Sequence, residues 1–369
     1  MLGSLLVDLL YVQDYVRVVP SSPLVLVTSR SFSSGDLDLA GELEAAGCRL
    51  ATGPSTHDLD ALRPLLADAT AWIAGTGPVS AAHLDAAPGL QLVARYGVGV
   101  EAVDLAAAAA RGVLVTNTPG ANTGAVADHA VALMLAALRD VPQGDRGVRA
   151  GRWAVQRTRE LGSLTVGIVG LGRIGRAVAA RLSGFGCALL GFDPWVPPAE
   201  LERLGIEGVD LDTLARRSDV ISLHAPGEQV VVDERFLALV RPDLVLVNTA
   251  RATLVDEPAL AAALEAGRLR SYASDVLGSE AGHHANPLLT GDLRDRTLFT
   301  PHSAAQTVQA VDGMGRGAAD AVLAHLRGEV PPNLVPLPEP APLPGPAPLP
   351  EPAPSPEPAP SPEPVEGSR

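Results

Sequence analysis

Short apolar runs at Leu24 to Val27, Ala71 to Ala74, Leu90 to Val93 and Val113 to Val115 alternate with Ala- and Leu-rich stretches in the first third of the chain. Runs of this length with polar flanks predict buried strands, and the stretch Leu37 to Ala46, closed by Gly47, predicts a helix ended by a glycine stop. A second series starts at Thr165 to Val169 and continues through Ala188 to Phe192, Val220 to Leu223, Leu244 to Val247 and Ser271 to Ser274. Strands alternating with helices predict parallel sheets, so the fold class is α/β. Between the two series, Ala125 to Leu138 is apolar on nearly all sides, which places this helix between packed bodies rather than on a surface.

The pattern fails at both ends. Residues 1–23 fit neither series and read as a flexible leader. Asp8 interrupts the apolar stretch Leu2 to Val12 and no basic segment precedes it, so no signal peptide is expected. From Pro336 to Pro364 a proline fills every even position, which excludes a packed core and predicts a disordered, Pro-rich tail over residues 336–369. Because the prolines fall two apart, the PxxP spacing read by aromatic-lined grooves never occurs there.

Composition narrows the chemistry. With 369 residues and 47% hydrophobic content, the chain can bury cores for two domains. A net charge of −14, from 28 basic and 42 acidic residues, argues against a nucleic-acid partner. All 28 basic residues are arginine. The absence of lysine excludes Schiff-base and pyridoxal-phosphate enzymes and the Gly-Lys phosphate loop. Cys48 and Cys187 are too few for a disulfide framework or a four-cysteine zinc site, and no run approaches a membrane span, so the expected location is cytoplasmic.

Gly170-Leu171-Gly172-Arg173-Ile174-Gly175 fits GxGxxG, and its context gives it meaning: it follows the strand Thr165 to Val169 and opens a helix. Gly170 suits the tight turn, Gly172 lets backbone approach a pyrophosphate, and Gly175 lets helix pack on strand. The pyrophosphate then lies on the helix N-terminus. Asp193, at the end of the next strand, can accept hydrogen bonds from the adenosine ribose and would repel a 2′-phosphate, favouring NAD over NADP. Gly313 to Gly317 follows no strand and reads as a closely packed helix. Glu280, His283, His284 and His302 cluster in sequence, but adjacent histidines on an extended loop point opposite ways, so no metal is expected. His129, on the apolar helix, reads as a core or interface histidine.

Three later segments, VNTARATLVDEPAL around Arg251, DVLGSE ending at Glu280 and TPHSAAQT around His302, follow the fingerprint in order. Together with RYGVGVEAVDL, TNTPGANTGAVADHAVALMLAALR, SDVISLHAP and GEVPPNLV, they resemble the D-isomer-specific 2-hydroxyacid dehydrogenases, in particular the phosphoglycerate dehydrogenase branch. The resemblance implies two Rossmann-like doubly wound domains with a cleft between them. The substrate domain would comprise 24–121 and a return segment 303–335, with an NAD-binding domain at 122–302 inserted between. Reduction of a 2-oxo acid needs a hydride from nicotinamide and a proton for the oxygen. His302 suits the proton role, Glu280 would favour its imidazolium form, and Arg251 can hold the substrate carboxylate and polarise the carbonyl. The resemblance adds backbone amides at Val98 and Gly99 for the carboxylate. It places cofactor contacts at Arg173, Ile174, Asp193, Ala225, Thr249 and Asp275, the last addressing the nicotinamide carboxamide. It also implies a homodimer.

The chain departs from the family pattern at Ala281, at Ala252 beside Arg251, at the pair Glu101-Ala102 and in a shorter loop after Pro226. An S-adenosylmethionine methyltransferase would share Gly-rich turns but has no call for the later Thr-Pro-His. The other reading of the same fold is an NAD-responsive interaction protein, which an intact Arg, Glu and His set disfavours. The Ala74 to Gly77 stretch, AGTG, carries no cation for a phosphorylated substrate, which points to a simple 2-oxo acid.

Overall fold

The computed structural model describes residues 20–227, 229–278 and 286–338. The expected leader up to residue 19, Glu280 with His283 and His284, and the tail from residue 339 lie outside the described residues.

The first series forms a five-stranded parallel sheet from β1 (Leu24–Val27), β2 (Arg49–Thr52), β3 (Ala69–Ala74), β4 (Leu92–Arg95) and β5 (Leu114–Thr116), in the order β2-β1-β3-β4-β5. Its central strands are sealed, with Val25, Leu26, Trp72 and Ile73 fully buried. The helix Val308–Leu326, from the far end of the described sequence, closes one face of this sheet. Tyr96 donates its hydroxyl to the Val311 carbonyl at 3.0 Å, and Asp312 accepts the amides of Asp36 and Leu37 at 3.1 and 3.2 Å. The glycines of that helix allow the approach: a Cβ on Gly315 would lie 2.4 Å from Leu39, and one on Gly317 2.7 Å from Thr118. Gly313 to Gly317 is therefore a packing surface. Beyond the helix, Val335 donates its amide to the Val115 carbonyl at 2.8 Å, so the chain leaves along the β5 edge with Leu337 still packed on the core.

The second series forms a seven-stranded parallel sheet from β6 (Thr165–Val169), β7 (Ala188–Phe192), β8 (Glu207–Gly208), β9 (Val220–Leu223), β10 (Val245–Asn248), β11 (Ser271–Ser274) and β12 (Thr297–Phe299). The order is β12-β11-β10-β9-β6-β7-β8, so strand succession reverses between β6 and β9. Ligands of open α/β sheets bind in the crevice at such a reversal. The apolar helix Thr123–Leu138 packs against this sheet and the helix Arg173–Leu182, with Ala127, Ala130 and Met134 fully buried, and it also touches the helix Val308–Leu326. Among the described residues no helix is long and apolar enough to cross a membrane.

Candidate active site

The glycine turn opens at the β6 end of the crevice. Gly170 has φ +88°, a left-handed conformation that glycine adopts without strain, and a Cβ there would sit 2.5 Å from the Ala225 amide nitrogen. A Cβ on Gly175 would fall 2.0 Å from the Gly170 carbonyl, which fixes how closely helix meets strand. Gly172 differs from both: a Cβ there meets nothing within 4 Å. Gly172 is the N-cap of the helix Arg173–Leu182, has no side chain to cap it and leaves open space in front of the first helical amides. That is the arrangement an anionic pyrophosphate fills. Arg173 stands exposed and Ile174 half-buried beside it. Asp193 is held at the β7 end, accepting the Leu171 amide at 2.7 Å and the Trp195 amide at 2.9 Å, so the turn itself orients its carboxylate.

Three of the six buried side-chain polar atoms without a protein partner among the described residues lie at the ends of β9 and β10 and at the start of the helix Thr123–Leu138. They are Thr249 Oγ1 after β10, His224 Nδ1 after β9 and Asn122 Oδ1 at the N-cap of that helix. Burial pushes the His224 imidazole down to about 4, so it is neutral. Buried polar atoms are ordinarily hydrogen-bonded, and these unsatisfied groups match the ribose and amide functions of a dinucleotide. Thr249 and Ala225 are the residues that the sequence singled out there. His224 and Asn122 it missed, because a lone His or Asn beside a strand end carries no sequence signal.

Arg251 leaves the end of β10, its backbone carbonyl accepting the Asn248 side-chain amide at 2.8 Å. Ala252, in place of the family glycine, starts the short 3₁₀ turn Ala252–Leu254 and is absent from the positive-φ residues, so alanine fits there. Gly227, in the shortened loop, leaves room for the Arg251 stem: a Cβ there would lie 2.7 Å from Arg251 Cγ. The guanidinium reaches across the cleft to the loop after β4, where a Cβ on Gly99 would stand 2.0 Å from Arg251 Nη2. A side chain at 99 would make the guanidinium shift from this position. The Val98 and Gly99 amides have no acceptor among the described residues, and the Gly99 backbone lies beside this cation. Arg251 also pairs with Glu101, donating Nε to Oε1 and Nη2 to Oε2, each at 3.2 Å.

His302 sits exposed in the loop after β12 with φ +50°. Its amide donates to the carbonyls of Asp275 and Thr300, each at 3.0 Å. The Asp275 carboxylate, only 2% exposed, accepts the Thr300 hydroxyl, the Ser303 amide at 2.9 Å and the Ala304 amide at 2.8 Å. His129 Nε2 is 3.5 Å from the same carboxylate and 2.8 Å from Thr300 Oγ1. Burial alone would raise the Asp275 pKa, but His129, Thr300 and the two amides outweigh it and hold the carboxyl below its usual range. Asp275 therefore braces the loop that carries His302, a role the sequence did not announce. His129 is half-buried and joins the helix Thr123–Leu138 to that loop.

The reversed parallel sheet, the glycine turn and the open helix N-terminus define a dinucleotide-binding protein of the doubly wound class. Residues 131–304 match the model of the D-isomer specific 2-hydroxyacid dehydrogenase NAD binding domain. The chain is 39% identical over 323 residues to a D-3-phosphoglycerate dehydrogenase of Mycobacterium tuberculosis, covering 85% of this chain and 59% of that protein. It is 38% identical over 287 residues to a glyoxylate reductase of Korarchaeum cryptofilum, covering 75% of this chain and 83% of that one. Among solved structures, an NADPH-dependent glyoxylate/hydroxypyruvate reductase of Sinorhizobium meliloti superposes with a TM-score of 0.73 at 30% identity, over 85% of this chain and 97% of the other. The chain belongs to the D-isomer-specific 2-hydroxyacid dehydrogenase family, and its dinucleotide is NAD. It spans about three-fifths of the length of the mycobacterial phosphoglycerate dehydrogenases that it matches.

Proposed function

We propose that the protein is an NAD-dependent dehydrogenase interconverting a D-2-hydroxy acid and its 2-oxo acid. The observation that supports this most is the cradle across the cleft, where Arg251 from one sheet lies against Gly99 from the other. In this reading residues 24–121 and 303–335 form the substrate domain and 122–302 the cofactor domain. Bound NADH supplies the hydride. Gly170 makes the turn and Gly175 the close helix packing that place Gly172, Arg173 and Ile174 at the pyrophosphate, Asp193 takes the adenosine ribose, and Ala225 and Thr249 line the crevice. Asp275 Oδ2 accepts one backbone amide and keeps a lone pair for the carboxamide. The substrate carboxylate lies between Arg251 and the amides of Val98 and Gly99, which orients the carbonyl and polarises it. His302 gives the proton to the forming hydroxyl, and Glu280, by the family resemblance, holds the imidazole ready.

The chain works as a homodimer in the cytoplasm. Support for the dimer comes from the helix Val141–Arg149, which buries no residue, and the segment after it: Trp153 and Val155 are 85% and 91% exposed. Exposed apolar area of this kind marks contact surfaces. A single-chain mass by sedimentation would contradict the dimer.

The wild-type chain is expected to oxidise NADH when glyoxylate, pyruvate or hydroxypyruvate is added. NADH binding without turnover of any 2-oxo acid would instead favour the interaction protein.

A further inference from the structure

Resting on the dehydrogenase reading, the loop beside the Arg251 cradle has a buried support that bears on the substrate. β3 and β4 are parallel neighbours with Ala74 opposite Arg95, so the loop after β3 opens beside the loop that carries Val98 and Gly99. On the other flank, the chain after β5 is tied to that loop. Asn117 Nδ2 donates to the Val98 carbonyl at 2.8 Å, and the Gly97 amide donates to the Thr118 hydroxyl at 3.1 Å. A 2-oxo acid whose carboxylate lies in the cradle therefore has its side chain directed towards residues 75–78, where Thr76 and Pro78 are exposed and Gly77 is half-buried.

Behind this loop stands His57, only 2% exposed and left-handed at φ +56°. A residue other than glycine keeps such a backbone where its surroundings over-determine it. His83 Nε2 donates to the His57 carbonyl at 2.8 Å. The His57 Nδ1 is 3.0 Å from the Pro78 carbonyl, which can only accept, so Nδ1 carries the proton and Nε2 a lone pair. That lone pair takes the Thr28 hydroxyl at 2.6 Å. Thr28 Oγ1 in turn accepts the Trp72 indole N–H at 2.9 Å and the Gly75 amide at 3.2 Å. Both ring nitrogens are thus satisfied in the neutral form, and burial keeps the ring neutral by pushing its pKa down to about 4. The loop is pinned at Gly75 through Thr28 and at Pro78 through Nδ1. Between these points Gly77 rests on the ring, where a Cβ would lie 2.4 Å from the imidazole Cγ.

We propose that His57 is a positioning residue that sets the depth of the substrate pocket, its ring holding the 75–78 loop forward so that the site favours 2-oxo acids with short side chains. The device is steric. Gly75, Thr76 and Gly77 lie outside any helix or strand, so the loop can follow its support, and removing the imidazole lets it sink into the space that the ring leaves. One extra methylene in an apolar pocket changes kcat/KM by about tenfold or more, so even a small retreat of the loop is measurable.

The test compares kcat/KM for glyoxylate and 2-oxobutyrate with NADH in the wild type, His57→Gly and Thr28→Ser. Glycine takes the left-handed backbone without strain and removes the ring, whereas serine keeps the hydroxyl that the ring and the Gly75 amide use. The wild type should prefer glyoxylate, His57→Gly should move the ratio at least about fivefold towards 2-oxobutyrate, and Thr28→Ser should stay within about twofold of the wild type. The NADH dissociation constant should be the same in all three, since the glycine turn belongs to the other sheet. If His57→Gly does not fold, His57→Asn carries the same test with an expected change of about threefold, because asparagine tolerates the left-handed backbone and is too short for Thr28. A wild-type preference for 2-oxobutyrate, or equal loss on both acids in the His57 variant with NADH binding intact, overturns the proposal; equal loss would mean that His57 only supports the sheet. Failure of the wild type to reduce either acid while binding NADH overturns the dehydrogenase reading itself and this proposal with it.

Discussion

Replacing His302 by asparagine is expected to lower turnover by about 10²- to 10⁴-fold, the range over which a positioned general acid contributes. Asparagine suits the test because it tolerates the left-handed backbone at φ +50° better than most residues, so the loop keeps its shape. The brace around it does not depend on the imidazole: Asp275 holds Thr300, Ser303 and Ala304, and the His302 amide donates to the Asp275 and Thr300 carbonyls. What the variant removes is a group able to carry a proton near neutral pH. NADH affinity should therefore change little. Measured kcat values within a factor of a few of the wild type would remove His302 as the acid.

Truncating Arg251 to alanine should lower kcat/KM by roughly 30-fold to several thousand-fold, the range for breaking a hydrogen-bonded charge pair at a binding site. Two losses combine. The substrate carboxylate is left with the Val98 and Gly99 amides alone, and Glu101 loses its guanidinium while still facing the incoming anion. The side-chain pair is partly exposed, 37% for Arg251 and 50% for Glu101, so the effect on folding stability should be small and the loss should be read in kinetics. Arg251→Lys is not expected to restore the activity, because an ammonium cannot engage Glu101 and a substrate carboxylate with two planar forks at once. Steady-state kinetics of both variants check this, and a change below about threefold in Arg251→Ala would place the carboxylate elsewhere.

Much of the architecture was legible because central strands of parallel sheets are apolar on both faces. β1, β6, β7, β9 and β11 fall where their runs predict. β4 and β10 end later than their apolar runs, on Arg95 and Asn248, because these buried polar residues find partners only in the fold. The strands that were missed, β2, β8 and β12, are all sheet edges. β2 is half-exposed RLAT, β8 is two exposed residues and β12 is half-buried TLF, so none carries the sealed apolar signature.

The site divides in the same way. The glycine turn could be read because its three conformational demands fall within six residues of sequence. The Glu101 and Arg251 contact joins positions 150 apart, and the Asp275 brace joins β11 to the loop after β12 and to the interdomain helix. Such contacts follow from tertiary placement and leave no local pattern. Arg95 stands in the RYGVGVEAVDL run, yet nothing in its neighbours marks it as a cation only 8% exposed that donates to the Ala74 and Tyr96 carbonyls.

The most direct test of the central claim is the configuration of the product formed from pyruvate and NADH by the wild-type chain, read by chiral chromatography. A substrate fixed at both its carboxylate and its carbonyl offers one face to the hydride, so a single enantiomer forms, and membership of the D-isomer-specific family makes it D-lactate. L-lactate, a racemic mixture, or NADH oxidation without lactate would contradict it.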